Sequence, residues 1–112
     1  MKQRVYVETS IVSYLTGRAS RDMIIAAHQE LTRQWWETRA FSFDLFVSEL
    51  VREEASKGDV EASSNRMSAI EELPILGTSN EAVLLAEQLV SSGPIPREYA
   101  ADALHIAISA VN

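Results

Sequence analysis

Short apolar runs alternate with stretches of helical periodicity along this chain, and that alternation leaves few folds open. Arg4 to Val7 reads as a short buried strand, "AFSFDLFVS" as a second strand ending at Ser48, and "LPILGTS" as a short third. After the first, "TSIVSYLTG" starts a helix, with Thr9 or Ser10 as its N-cap and Gly17 as its stop. Asp22 caps a helix that runs to about Arg39 and carries apolar residues at 23, 24, 27, 31 and 35. Ser48 caps "ELVREEASKG", which Gly58 closes, and a further helix is expected from Glu61 to Leu73. "NEAVLLAEQLVSSG" reads as a helix from an Asn cap to a Gly stop, and "PIPREYAADALHIAISAVN" restarts with Pro96 near a first turn. Strands that alternate with helices imply an α/β fold with a parallel sheet. The 112 residues contain no internal repeat and no Pro- or Gly-rich linker, so one domain spanning 1–112 is expected.

Composition narrows the chemistry. Absence of cysteine excludes disulfides, thiolate metal sites and cysteine nucleophiles, and two histidines, His28 and His105, make a zinc cage a poor fit. Any metal would be held by carboxylates, which suits Mg²⁺ or Mn²⁺. A net charge of −6 argues against broad electrostatic binding of nucleic acid, although a local acidic site neutralised by cations is compatible with it. No apolar run approaches the roughly 20 residues that cross a bilayer. "MKQRVYVETS" lacks the apolar core of a signal peptide, so a cytoplasmic product without a membrane partner is expected.

Three acids then stand out by position. Glu8 ends the first strand where the chain turns into a helix, the place at which open parallel sheets bind ligands. It reads either as a solvated strand end or as a ligand. Glu54 lies four residues after Leu50 and three after Val51, on their apolar stripe, whereas Glu49 and Glu53 point elsewhere. An acid on an inward face needs a metal or an ion-pair partner, for which Arg52 and Arg66 are candidates. In the last helix, Glu98, Asp102, His105, Ser109 and Asn112 draw one narrow polar line, read either as a solvent face or as the lining of a cleft. Asp102 sits early in that helix, where the dipole favours a carboxylate. Carboxylates that converge repel one another unless a divalent cation lies between them.

"VYVETSIVSYL", "VSELVREEASKGD" and "DALHIAISA" together resemble, in order and over essentially the whole chain, the PIN-domain proteins, in particular the VapC-like toxins of prokaryotic toxin–antitoxin pairs. The resemblance implies a three-layer α/β/α sandwich with a central parallel sheet, and a metal-dependent endoribonuclease that hydrolyses RNA phosphodiesters with metal-activated water. It places the metal ligands and catalytic acids at Glu8, Glu54 and Asp102, with Mg²⁺ or Mn²⁺ as cofactor and Thr9 or Ser10 as a supporting hydroxyl. It also implies a homodimer and a small antitoxin partner. His105, one turn after Asp102, reads as a packing or supporting residue, since water on the metal already provides the nucleophile. Trp35 fits its helix's apolar stripe and is assigned to the core or a dimer contact; Trp36 is left open between packing and stacking on a base.

The chain departs from the family in two places. Its first acid is glutamate where aspartate is usual, and it stops at Asn112 where the family continues into another strand that often brings a fourth polar ligand. A sheet short of its C-terminal strand is therefore expected, through truncation or because another chain supplies the edge. The rival reading is a catalytically weak PIN-like interaction module that dimerises or binds an antitoxin. A generic small-molecule α/β domain ranks last, because the four glycines form no phosphate-binding fingerprint.

Overall fold

The structure, a computed structural model, describes residues 2–112. The chain is α/β, with a small parallel sheet of three strands in the order β1 (Gln3–Tyr6), β2 (Phe43–Ser48), β3 (Ile75–Leu76). The helices are α1 (Thr9–Thr16), α2 (Met23–Thr38), α3 (Glu49–Ala55), α4 (Val60–Ile70), α5 (Asn80–Ser91) and α6 (Ala100–Val111). Among the described residues no helix is long and apolar enough to cross a membrane.

The caps follow short polar side chains. Asp22 accepts from the backbone N–H groups of Ile24 and Ile25, Ser48 from Val51, Asp59 from Ala62 and Ser79 from Ala82. Several boundaries shift from expectation: β2 begins at Phe43 because Ala40–Ser42 forms a 3-10 turn, α4 ends at Ile70, and α6 begins at Ala100 after a 3-10 turn at Arg97–Tyr99. α1 is capped by Glu8, whose carboxylate accepts from Ser10 N–H, so Thr9 is the first helical residue and not the cap. α5 is capped by Ser79 rather than Asn80. After α3 the chain turns through Gly58 at φ +90°, a left-handed backbone that a side chain would strain.

Register sorts the strand side chains. Val5 pairs with Leu45 and Tyr6 with Phe46, while Val47 pairs with Ile75 and Ser48 with Leu76. Alternation therefore sends Val7 and Val47 to one face, Tyr6, Ser48 and Leu76 to the other. The first set joins a cluster with Val12, Val51, Ala55 and Ile70, drawn from α1, α3 and α4. Tyr6 and Leu76 pack against a second cluster, Ala82, Ala86, Ala103, Ala107 and Ile108, drawn from α5 and α6.

α2 is inverted relative to its apolar pattern. Met23, Ile24 and Leu31 are 87%, 71% and 65% exposed. The face turned inward carries Gln29, whose side chain accepts from Ser20 N–H and donates to Arg18 carbonyl. Of the two tryptophans, Trp36, left open by the sequence, packs on the first cluster, and Trp35 stacks on Phe43 at 5.7 Å between ring centroids.

Paired substitutions test this assignment. Ile70→Ala, in a fully buried position, is expected to lower unfolding free energy by about 2–5 kcal/mol. Ile24→Ala on the outward stripe is expected to change it by less than about 0.5 kcal/mol. Urea unfolding of both variants reads the contrast, and equal losses would place the α2 stripe in the core.

Candidate active site at the strand ends

An open cleft of about 400 Å³ lies where β1 and β2 give way to their helices. Six residues anticipated from sequence line it: Glu8, Thr9, Ser10, Glu54, Asp102 and His105. Each arrives by a local cause. Glu8, Thr9 and Ser10 are the cap and first turn of α1, directly after β1. Glu54 is carried by α3, which Ser48 starts at the end of β2. Asp102 stands in the first turn of α6, whose N-cap Tyr99 offers no side-chain bond, so the helix-end N–H groups favour its charge.

Glu54 is the best-held of the three acids. Its side chain is 28% exposed, and its Oε1 accepts from Thr9 Oγ1 at 2.5 Å and lies 2.7 Å from His105 Nε2. Neither arginine considered from sequence pairs with it: Arg66 donates to the carbonyls of Ala55 and Lys57. Glu8 Oε1 accepts from Ser10 N–H at 3.0 Å. Among the described residues, no three acids or histidines lie close enough together to make a ready ligand set. The three carboxylates share a cleft without forming a closed cage, and Glu8 and Glu54 are each held by their own hydrogen bonds.

The polar line of α6 is split by the fold. Asp102 and Ser109 are exposed, whereas His105 is 6% exposed and faces the sheet. There its Nδ1 meets Tyr6 OH at 2.6 Å, and Tyr6 OH meets Ser48 Oγ at 2.8 Å. Ser48 is fully buried and its oxygen also accepts from Val51 N–H at 3.2 Å. Five side chains thus form a continuous string: Ser48, Tyr6, His105, Glu54, Thr9.

Sequence reasoning missed Tyr6. The signal was available, since a tyrosine in a short buried strand needs a partner for its hydroxyl. It also missed Ser13, Tyr14 and Lys57, which complete the cleft. Tyr14 stacks on His28 at 5.3 Å between centroids, and the exposed Lys57 pairs with Glu53 at 3.6 Å.

Burial raises the Tyr6 phenol above its ordinary 10.0; the Ser48 hydrogen bond opposes this, and the charges of Glu54 and Glu8 add to it. Below pH 10 both folded and unfolded chains keep this proton. Above it the unfolded chain releases first, so stability falls as pH rises through the folded value. Urea midpoints measured from about pH 9 to 11 should show this fall, less steep in Tyr6→Phe. Identical slopes in the two proteins would count against a perturbed Tyr6.

No family model, curated protein or solved structure matches the chain.

Proposed function

We propose that the chain is a metal-dependent endoribonuclease of the VapC-like toxin type, built on a PIN-like three-layer α/β/α sandwich and acting in the cytoplasm. One observation carries the reading: Glu8, Glu54 and Asp102, from three separate elements, line a single cleft beyond the C-terminal ends of parallel strands. The sandwich reading is supported by the alternation that sends strand side chains to two helical clusters.

The donor chemistry fits Mg²⁺ or Mn²⁺. The three acids offer hard oxygen ligands, and the cleft holds no thiolate and one largely buried imidazole. Glu8, Glu54 and Asp102 would hold the cation, with Thr9 and Ser10 as supporting groups. When bound, such an ion supplies Lewis-acid activation of water and counters charge at the phosphoryl group. The protein's own residues do the rest. Thr9 donates to Glu54 and limits its rotation. Lys57 brings a positive charge to an otherwise acidic cleft and is suited to an RNA phosphate. His105, with both ring nitrogens already bonded, serves as a support and not as a general base.

A fluorescent RNA tests this reading, incubated with Mn²⁺ or with EDTA, using wild type and Asp102→Asn. Cleavage is expected only with metal, and the variant should lose more than about 100-fold, beyond the range typical of an outer-shell change. Equal, metal-independent cleavage by both proteins would sink the proposal.

A second reading, the catalytically weak interaction module, is favoured by the outward apolar stripe of α2 and by the lack, among the described residues, of a ready ligand set. Both readings share a homodimer and a small antitoxin as partners, and the stripe supports the homodimer. Sedimentation should find wild type dimeric and Leu31→Arg monomeric with unchanged circular dichroism. A dimer that survives this substitution would remove α2 from the interface.

A further inference from the structure

The string of hydrogen bonds behind Glu54 admits one consistent placement of protons. A carboxylate can only accept, so His105 Nε2 must carry the hydrogen that points at Glu54 Oε1. In the neutral ring Nδ1 is then bare and accepts from the Tyr6 hydroxyl. With its own hydrogen used, the Tyr6 oxygen accepts from Ser48, and the Ser48 oxygen accepts from Val51 N–H. Every donor finds an acceptor and every bond runs the same way.

The alternatives each break a bond. The opposite tautomer sets the Nε2 lone pair against a carboxylate oxygen at 2.7 Å. A doubly protonated ring turns the Tyr6 hydroxyl toward Ser48. The Ser48 hydroxyl hydrogen, fully buried, then has no acceptor among the described residues. Leaving such a group unpaired costs about 1–3 kcal/mol.

We infer that Ser48, Tyr6 and His105 are positioning residues: a one-way hydrogen-bond relay fixes the Nε2–H tautomer of His105, which with Thr9 holds Glu54 by Oε1 and leaves Oε2 for a divalent cation. The assignment of Oε2 rests on the metal site proposed above; the tautomer does not. No proton travels along the string. Both hydrogen bonds that Glu54 accepts among the described residues fall on Oε1, so its carboxylate is oriented with one oxygen uncommitted. Outer partners of this kind commonly tune a ligand by 10–100-fold in affinity. The relay also ties the site to β2, because Ser48 both starts α3, which carries Glu54, and anchors Tyr6.

The test uses the full chain labelled with ¹⁵N-histidine, first without metal. Only two histidines are present, so His28→Gln assigns the spectrum. Wild type should show His105 protonated at Nε2 and bare at Nδ1, and Tyr6→Phe should shift the Nδ1 resonance, which loses its hydrogen bond, while Nε2 stays protonated against Glu54. Mn²⁺ titration is then expected to show roughly tenfold weaker binding in Tyr6→Phe and about 10–100-fold weaker binding in His105→Ala. His105→Gln, whose amide can still donate to Glu54, should recover most of the loss. It also serves as the folded control if the alanine variant unfolds. A wild-type ring protonated at Nδ1, or a Tyr6→Phe spectrum unchanged from wild type, overturns the relay. Unaltered Mn²⁺ affinity in all three variants overturns its positioning role. A wild type that binds no Mn²⁺ removes the metal site and the role of Oε2, while the metal-free spectra still decide the tautomer.

Discussion

The central strand β2 is the constraint on which the rest depends. It carries both parallel ladders, to β1 along four paired positions and to β3 along two. Period-two alternation along β2 decides which side chains meet which helices. Val47 is committed to the cluster shared with α1, α3 and α4, and Ser48 to the side of α6. A one-residue slip in this register would exchange the two faces and take Tyr6 out of reach of His105.

Ser48 shows how a single residue joins local and tertiary structure. As an N-cap it satisfies a backbone donor of α3, a short-range effect worth about 1 kcal/mol in typical helices. As a buried hydroxyl it also meets Tyr6, and through Tyr6 it reaches His105 on α6. The helix bearing Glu54 and the helix bearing Asp102 are thereby linked through the sheet. The cleft is consequently a joint product of β1, β2, α1, α3 and α6, and Glu54 sits on hydrogen-bonded supports, of which His105 and Ser48 are buried. Asp102 differs: it is exposed and depends on its place in the first turn of α6.

α2 makes a different compromise. Its inward face is anchored by polar contacts, with Gln29 bonded at both ends of its amide and Arg33 donating to Gly17 carbonyl. A Cβ on Gly17 would lie 2.8 Å from the Ser13 carbonyl of α1 and 3.3 Å from the Gln29 amide nitrogen of α2, so the tight C-terminal end of α1 needs glycine. The apolar residues left outside form a stripe on one side of the helix.

The sequence by itself determined the alternation of strands and helices, the caps at Asp22 and Ser48 and the parallel sense of the sheet, because these follow from periodicity and from short side chains bonding their own backbone. It also singled out Glu54 over Glu49 and Glu53, since helical geometry alone separates them. Long-range pairing was not legible. The side chains around Glu54 come from Thr9 and His105, 45 and 51 residues away, whereas local spacing suggested Arg52 and Arg66. The α2 stripe was visible as a pattern, but its direction was not, because an apolar face is equally regular whether it meets a core or solvent. Tyr6 became part of the site only when β1 and β2 paired and α6 packed across them. Periodicity fixes which residues share a face; only the packing of distant elements decides what that face meets.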